Sequence, residues 1–131
     1  MTALEAEAIG DDLERQGYAL IANLLSPDDC HAICAFWQSE ERFRIQVDMA
    51  RHGYGQGFYR YFAYPLPDWV QALRGRFYPP LAVIANSWQE RLGADPRYPA
   101  DHDAYLRRCH EAGQKRPTPL LLRYGPGDYN R

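Results

Sequence analysis

The chain has 131 residues, of which 46% are hydrophobic and 24% are charged, and its net charge is −2. This length fits one domain, and the composition is ordinary for a globular protein. The small net charge gives no general attraction to nucleic acid or anionic lipid. No apolar run in the sequence is long enough to span a membrane.

The amino terminus lacks the basic start and apolar run of a secretory signal. The three cysteines, Cys30, Cys34 and Cys109, form no CxxC pair, and an odd number of thiols is typical of a reducing compartment. We therefore expect a cytoplasmic protein with no membrane partner.

The first element is predicted from helix-end signals. Thr2 and Glu5 have the spacing of a capping box, and Gly17 stands where a left-handed residue commonly ends a helix. Together they predict a helix over residues 3–16. The apolar run 18–25 that follows predicts a short buried strand.

A second helix and a strand pair are predicted next. Ser26 is a good N-cap and Pro27 suits the first helical position, so a helix begins there. Residues 43–47 alternate apolar and polar side chains, which is the pattern of a strand with one buried face. The glycine-rich loop 53–57 leads to the aromatic run 58–64, which predicts a hairpin-like return.

The remaining elements are helices followed by one strand. Residues 68–73 predict a short helix, and the prolines at 79–80 predict the start of a separate, longer one. Asp101 can cap a further helix that Gly113 stops. The run 120–124 then predicts a strand that enters a core.

These elements predict an α+β fold in one domain over residues 1–131, with no repeat or linker. Its few scattered strands would make a poor sheet by themselves. Residues 123–130 have the pattern of one strand ending, a turn, and another strand opening. We therefore expect an incomplete domain whose sheet is cut off.

Motifs for several chemistries are weak or absent. Cys30, His31 and Cys34 could ligate zinc together with Cys109 and His110, but on the predicted helix His31 points about 100° away from Cys30. The simpler interpretation is that the free cysteines pack as small hydrophobic residues. The sequence contains no Gly-x-Ser-x-Gly elbow and no phosphate-binding loop.

The stretch 52–64 interleaves glycine, arginine and aromatic residues, as single-strand nucleic-acid binders do. A strand lining a core or pocket is the simpler interpretation. Arg51 and Arg60 are candidates for binding a carboxylate, because a guanidinium matches that anion in two-point geometry.

Three stretches resemble the iron(II)- and 2-oxoglutarate-dependent oxygenases. Residues 17–30, which contain Gly-Tyr-Ala-Leu-Ile and Leu-Leu-Ser-Pro-Asp-Asp-Cys, resemble the strand and helix that precede the catalytic barrel in many members. Residues 120–129, Leu-Leu-Leu-Arg-Tyr-Gly-Pro-Gly-Asp-Tyr, resemble the strand and turn that run into the His-x-Asp of the prolyl-hydroxylase-like branch. The block 43–67 resembles an uncharacterised bacterial subgroup of these enzymes.

The resemblance implies a helical support region over about 1–115, followed from about 116 by the first strands of a double-stranded β-helix, or jelly roll. It implies Fe(II) held by two histidines and a carboxylate, with open positions for 2-oxoglutarate and O2. It also implies that Tyr124 donates a hydrogen bond to 2-oxoglutarate, the alternative being an ordinary core tyrosine. We expect Arg60 and Tyr61 to contact the substrate, a small molecule or peptide and not a nucleic acid.

No histidine of the chain is followed two positions later by an acid, so no His-x-Asp or His-x-Glu is present. We therefore expect the N-terminal part of a dioxygenase, truncated before its metal motif, inactive alone and carrying neither Fe(II) nor 2-oxoglutarate. The competing hypothesis is a non-enzymatic module that pairs strand 120–124 with a partner's sheet edge.

Overall fold

The computed structural model describes residues 4–95 and 97–131. Within this described part, no helix combines the length and the apolarity that crossing a membrane requires. The four helices are α1 (Ala6–Gln16), α2 (Pro27–Phe36), α3 (Asp68–Leu92) and α4 (His102–Glu111). The five strands are β1 (Phe43–Asp48), β2 (Gly55–Gln56), β3 (Phe58–Phe62), β4 (Leu120–Arg123) and β5 (Tyr129–Asn130). Single 3-10 turns cover Glu40–Arg42 and Met49–His52.

The chain divides into two compact units, a helical unit and a sheet unit. The helical unit comprises Met1–Leu24 and Asp68–Lys115, and thus holds α1, α3 and α4. The sheet unit comprises Leu25–Pro67 and Arg116–Arg131, and holds α2 and all five strands.

Helix α1 ends where the sequence predicts. Gly17 has a φ of 83° and its N–H donates to the carbonyl of Leu13, which is the expected left-handed cap. The predicted start differs, because Glu5 is the N-cap residue and makes no side-chain capping bond. Thr2 of the predicted capping box lies outside the described residues. Ile9 is the buried residue of this helix.

The predicted strand over 18–25 is wrong, since residues 18–21 have no regular secondary structure and residues 22–25 form a turn and a bend. Asn23 has a φ of 55°, a left-handed conformation that interrupts any extended run. Tyr18 and Leu20 are both exposed. An apolar run becomes a strand only where another strand pairs with it, and none of the described strands does so here.

Helix α3 corrects a second expectation, because it runs unbroken through Pro79 and Pro80. Each proline removes one backbone donor and costs about 3 kcal/mol in a helix interior. Buried side chains lie on both sides of the prolines, Val70 before them and Ala82 and Ile84 after them. We attribute the continuity of the helix to this packing, which the helix propensities of the individual residues do not predict.

Helix α4 begins and ends as predicted. The carboxylate of Asp101 accepts from the backbone N–H of Asp103 at 3.2 Å, and Gly113 has a φ of 100° just beyond the helix. The helix packs on α3 through stacked rings of Tyr78 and Tyr105, whose centroids are 5.3 Å apart. Burial raises the pKa of both phenols above the ordinary value.

In the sheet unit, α2 starts with the capping signals read from the sequence. The Ser26 hydroxyl accepts from the N–H of Asp29, and the Asp29 carboxylate accepts from the N–H of Ser26, both at 3.0 Å. These hydrogen bonds lower the pKa of Asp29. Cys30 and Cys34 are exposed on this helix, so they are not the packed small hydrophobes that the sequence suggests.

The main sheet has the order β1-β3-β4 and is antiparallel throughout. The β1–β3 pair confirms the predicted hairpin-like return, and β4 confirms the predicted strand at 120–124. The register of the main sheet places Val47 beside Tyr59 and Tyr59 beside Leu122. An irregularity between Phe43 and Ile45 interrupts the register of β1. The fold is thus mixed α and β, and the described strands do not close into a barrel.

A second, two-stranded sheet pairs β2 with β5. The turn before β5 is closed by Asp128, whose carboxylate accepts from the N–H of Gly125 at 2.7 Å and whose N–H donates to the Gly125 carbonyl at 3.0 Å. Gly127 has a φ of 85°, which suits the third position of a type II turn. The predicted turn and strand opening are therefore confirmed.

We expect Gly55→Ala to destabilise the protein strongly. Gly55 has a φ of 122°, and a Cβ there would lie 2.1 Å from the carbonyl oxygen of Tyr129, so β2 and β5 would be forced apart. Gly53→Ala is the matched control, since Gly53 also has a positive φ, of 71°, but open space around it. Strain alone costs about 1–3 kcal/mol at either position. Urea unfolding followed by circular dichroism should show the larger loss for Gly55→Ala, and equal losses would contradict the proposed clash.

Candidate functional site

The two faces of the main sheet differ in what lies on them. Successive side chains of a strand point to opposite faces, so the register assigns each residue to one face. We call one face the covered face; it carries Phe43, Gln46, Arg60, Phe62, Leu121 and Arg123. We call the other the open face; it carries Ile45, Val47, Tyr59, Tyr61, Leu120 and Leu122, with Tyr124 continuing the alternation beyond β4.

Aromatic rings from α2 and the residue after it pack on the covered face. Phe36 lies edge-on to Phe43, with ring centroids 5.6 Å apart, and Phe43 stacks on Phe62 at 5.0 Å. Phe62 and Trp37 are both buried. Burial of such rings is the main apolar contribution to this unit, at about 1.5–3 kcal/mol for each fully buried large side chain.

The open face carries three tyrosines, and its residues are either exposed or half-buried. Ile45 is 49% exposed, Leu122 48% and Tyr124 44%. The ring of Tyr124 lies against Gly57, where a Cβ would be 3.0 Å from the Tyr124 Cδ1 atom. Gly57 therefore gives the tyrosine ring the space it occupies, and its φ of 135° also favours glycine.

The phenol of Tyr59 lies in the middle of the open face. Its ring meets that of Tyr61 edge-on, with centroids 5.7 Å apart. Loss of hydration raises the pKa of Tyr59, and the nearby phenols of Tyr61 and Tyr54 raise it further. Tyr59 is therefore a neutral hydroxyl that can donate a hydrogen bond across the physiological pH range.

Arg44 is the cation of this face. Its guanidinium carbon lies 4.4 Å from the centroid of the Tyr61 ring, and its Nε donates to the Pro117 carbonyl at 3.1 Å. Among the described residues, the two terminal nitrogens of this guanidinium have no hydrogen-bond or ion-pair partner. Arg44 is thus held in place through its Nε and its stacking on Tyr61, while its two terminal nitrogens stay available for a ligand.

Arg60 lies on the covered face, away from Tyr61. Its Nε donates to the Gln46 side chain at 2.7 Å, a terminal nitrogen donates to the Trp37 carbonyl, and its guanidinium carbon lies 4.3 Å from the Trp37 ring centroid. Glu40 approaches the same guanidinium at 3.7 Å, and the Arg60 side chain is only 13% exposed. Protein partners therefore occupy the group that was expected to receive a substrate carboxylate.

The structure thus separates the residues predicted for the site. Tyr61 and Tyr124 share the open face, whereas Arg60 lies behind the sheet. Arg51, the other arginine considered, is 82% exposed and its Nε lies 3.5 Å from the Asp48 carboxylate. The roles of Arg60, Tyr61 and Tyr124 toward substrate and cosubstrate stay predictions.

Sequence reasoning missed Arg44. The alternation in β1 makes it an ordinary polar position between Phe43 and Ile45. The irregularity of β1 at this point turns it over Tyr61, and strand irregularities of this kind leave little trace in a sequence. The only sequence signal for Arg44 as a site residue was its place opposite an aromatic run, and this signal is weak.

The described residues do not fit an iron centre. Residues 4–95 and 97–131 contain no group of three or more histidine, cysteine or acidic side chains that could hold a metal. We derive no step through iron from these residues. For 2-oxoglutarate, the open face offers the phenol of Tyr124 as one neutral donor to a carboxylate.

Comparison with known proteins places the chain in a family. Residues 57–131, more than half of the chain, match the model of an oxygenase family described as catalysing oxidative methylation of damaged DNA. The matched segment includes β3, β4 and the turn that follows β4. The chain belongs to this oxygenase family.

Two curated relatives are uncharacterised proteins of Mycobacterium tuberculosis, from the CDC 1551 / Oshkosh and the ATCC 25618 / H37Rv strains. Each is 41% identical to this chain over 69 residues, which are 53% of this chain and 30% of the relative. The chain thus matches less than a third of the length of these relatives. No solved structure matches it significantly.

We expect Arg60→Lys to destabilise the sheet unit by about 2 kcal/mol, because a lysine loses the planar fork that holds Gln46, Trp37 and Glu40 together. Arg51→Lys is the control and should change stability by no more than about 0.5 kcal/mol, as exposed ion pairs do. Urea unfolding curves of the two variants measure the difference. Unchanged stability of Arg60→Lys would show that the guanidinium is not a structural contact.

Proposed function

We propose that this chain contributes to an oxygenase that uses Fe(II) and 2-oxoglutarate, as in the prolyl-hydroxylase-like branch. The observation that carries the proposal is the family match across residues 57–131. Fe(II) and 2-oxoglutarate would supply the oxidising chemistry of that enzyme, and the described residues of this chain offer no ligand group for the iron. The residues of this chain are proposed to shape and line the chamber in which that chemistry takes place.

In this proposal the open face is a wall of the substrate chamber. Its tyrosines present rings and hydroxyls, while α2 excludes water from the opposite face of the sheet. Tyr59 and Tyr61 would contact the substrate, and Tyr124 would donate its phenolic proton in a hydrogen bond to a carboxylate of 2-oxoglutarate. Support for the role of Tyr124 comes from its place on that face and from Gly57, which leaves room for its ring.

The alternative is an interaction module that pairs through β4. The structure gives this idea one favourable feature, since β4 lies at an edge of the main sheet. Edge strands are common templates for pairing with another chain. The family match gives this alternative no added support, so we rank it second.

The role of Tyr124 is tested with 2-oxoglutarate alone. In the metal-free 131-residue chain we expect weak binding, with the largest NMR shifts at the Tyr124 ring, because the open face offers one neutral donor. Tyr124→Phe should weaken this binding roughly tenfold, the effect of losing one hydrogen bond to a charged group.

Tyr129→Phe is the control for that experiment, because Tyr129 is similarly exposed but lies beyond the turn. Equal effects of the two variants would remove Tyr124 from the proposal. Succinate serves as a second ligand, since it shares the two carboxylates but lacks the keto group.

The substrate class is tested separately. The sequence predicts a small molecule or peptide, whereas the description of the family names damaged DNA. With a net charge of −2, the chain has no general electrostatic attraction to a nucleic acid. We therefore expect no saturable binding of a short single-stranded oligonucleotide with one methylated base in fluorescence anisotropy across a salt series. Salt-dependent binding that favours the methylated strand over its unmodified control would assign DNA as the substrate instead.

A further inference from the structure

A groove of about 310 Å³ lies at the edge strand β1, is lined by residues of both faces of the sheet, and holds two guanidinium groups. Its lining residues are Glu40, Phe43, Arg44, Ile45, Gln46 and Arg60. Glu40 is the acid among them, and it lies 3.7 Å from Arg60. With Arg60 already bound to protein groups, Arg44 supplies the uncommitted positive charge of the groove.

The fork of Arg44 is already oriented. Its Nε is fixed by the Pro117 carbonyl and its plane is supported by the Tyr61 ring, so little side-chain freedom remains to be lost on binding. Two parallel N–H donors at the end of a guanidinium match the two oxygens of a carboxylate or phosphate. This arrangement is what a receptor for an oxyanion requires.

The proposed cosubstrate site at Tyr124 lies at a distance from Arg44 along the sheet. Tyr61 pairs with Leu120, and Tyr124 lies four residues farther along the chain from Leu120. At about 3.3 Å per residue the separation is about 13 Å, longer than a five-carbon diacid. Because these backbone positions are farther apart than the cosubstrate is long, we assign the anion at Arg44 to the substrate and the one at Tyr124 to 2-oxoglutarate.

We propose that Arg44, stacked on Tyr61, binds the carboxylate or phosphate group of the substrate. The identification of this anion as part of the substrate rests on the proposed function, but the anion site itself rests on Arg44, Tyr61 and Pro117. Arg44 lies outside the segment that matches the oxygenase family, so the family match does not assign this role.

The test is an NMR titration of the 131-residue chain at constant ionic strength, read at the Arg44 Nε–H signal and the Tyr61 ring. Acetate, inorganic phosphate and dimethyl phosphate are added separately. We expect saturable shifts at both groups, and the anion with the highest affinity identifies whether the substrate group is a carboxylate, a free phosphate or a phosphodiester. Linear shifts that never saturate with any of the three would overturn the site.

Variants separate the site from general charge effects. Arg44→Lys keeps the charge but loses the fork, and it should weaken the anion response at Tyr61 roughly tenfold. Arg107→Lys, in an exposed residue of the helical unit, should leave that response unchanged. Equal losses in both variants would contradict the proposal.

Tyr61→Phe provides a second measurement, because it keeps the ring beneath the guanidinium. Its Arg44 signal should still saturate, whereas that of Tyr61→Leu should shift at several-fold higher anion concentration. Unchanged affinity in Tyr61→Leu would contradict the role of the ring. Saturation at Arg44 without any 2-oxoglutarate response at Tyr124 would leave the anion site standing and remove the proposed cosubstrate role, so the two failures are distinguishable.

Discussion

The sheet unit depends on how Arg60 joins the sheet to the end of α2. Its guanidinium lies on the Trp37 ring, donates to the Trp37 carbonyl and to the Gln46 side chain, and is screened from water on most sides. An arginine suits this place because its planar fork can stack and donate at the same time, and it is more weakly hydrated than a lysine. The contact decides which face of the sheet is covered by the helix.

Once α2 occupies one face, the chemistry of the other face follows from the strand register. Tyr59 and Tyr61 must point away from the helix because they alternate with Arg60, and Tyr124 follows the same alternation on β4. Gly57 completes the arrangement by leaving space for the Tyr124 ring. An aromatic, hydroxyl-bearing surface is thus produced by the packing of a helix on its reverse side.

The two arginines of the hairpin show how similar side chains acquire different roles. Arg60 is surrounded by acceptors and a ring, so its positive charge stabilises the fold. Within the described part of the chain, Arg44 is anchored through its Nε and its stacking on Tyr61, so its terminal donors remain available for a ligand. In the proposed oxygenase, a pre-oriented cation beside the proposed chamber would fix the position of a substrate before oxidation, and fixing that position is a large part of catalysis.

Local signals in the sequence determined the ends of the helices. Ser26, Asp101 and Gly17 act on backbone groups two to four residues away, so their caps could be predicted without tertiary structure. The alternation of β1 and the aromatic run of β3 likewise predicted a strand pair, and the resemblance of the last strand and turn pointed to the oxygenases. Only the tertiary structure decided that the run 18–25 is not a strand and that α3 continues through its two prolines, because both outcomes depend on partners distant in sequence.

Tertiary structure also decided which residues form the candidate functional site. Residue types in the sequence marked Arg60 and Tyr61 as neighbours suited to a substrate, but adjacent strand residues face opposite sides. The irregularity of β1 then placed Arg44, not Arg60, over the Tyr61 ring. The sequence by itself thus determined which chemical groups the hairpin carries, whereas strand register and helix packing decided which of them face a ligand, since a one-residue change of register exchanges the two faces.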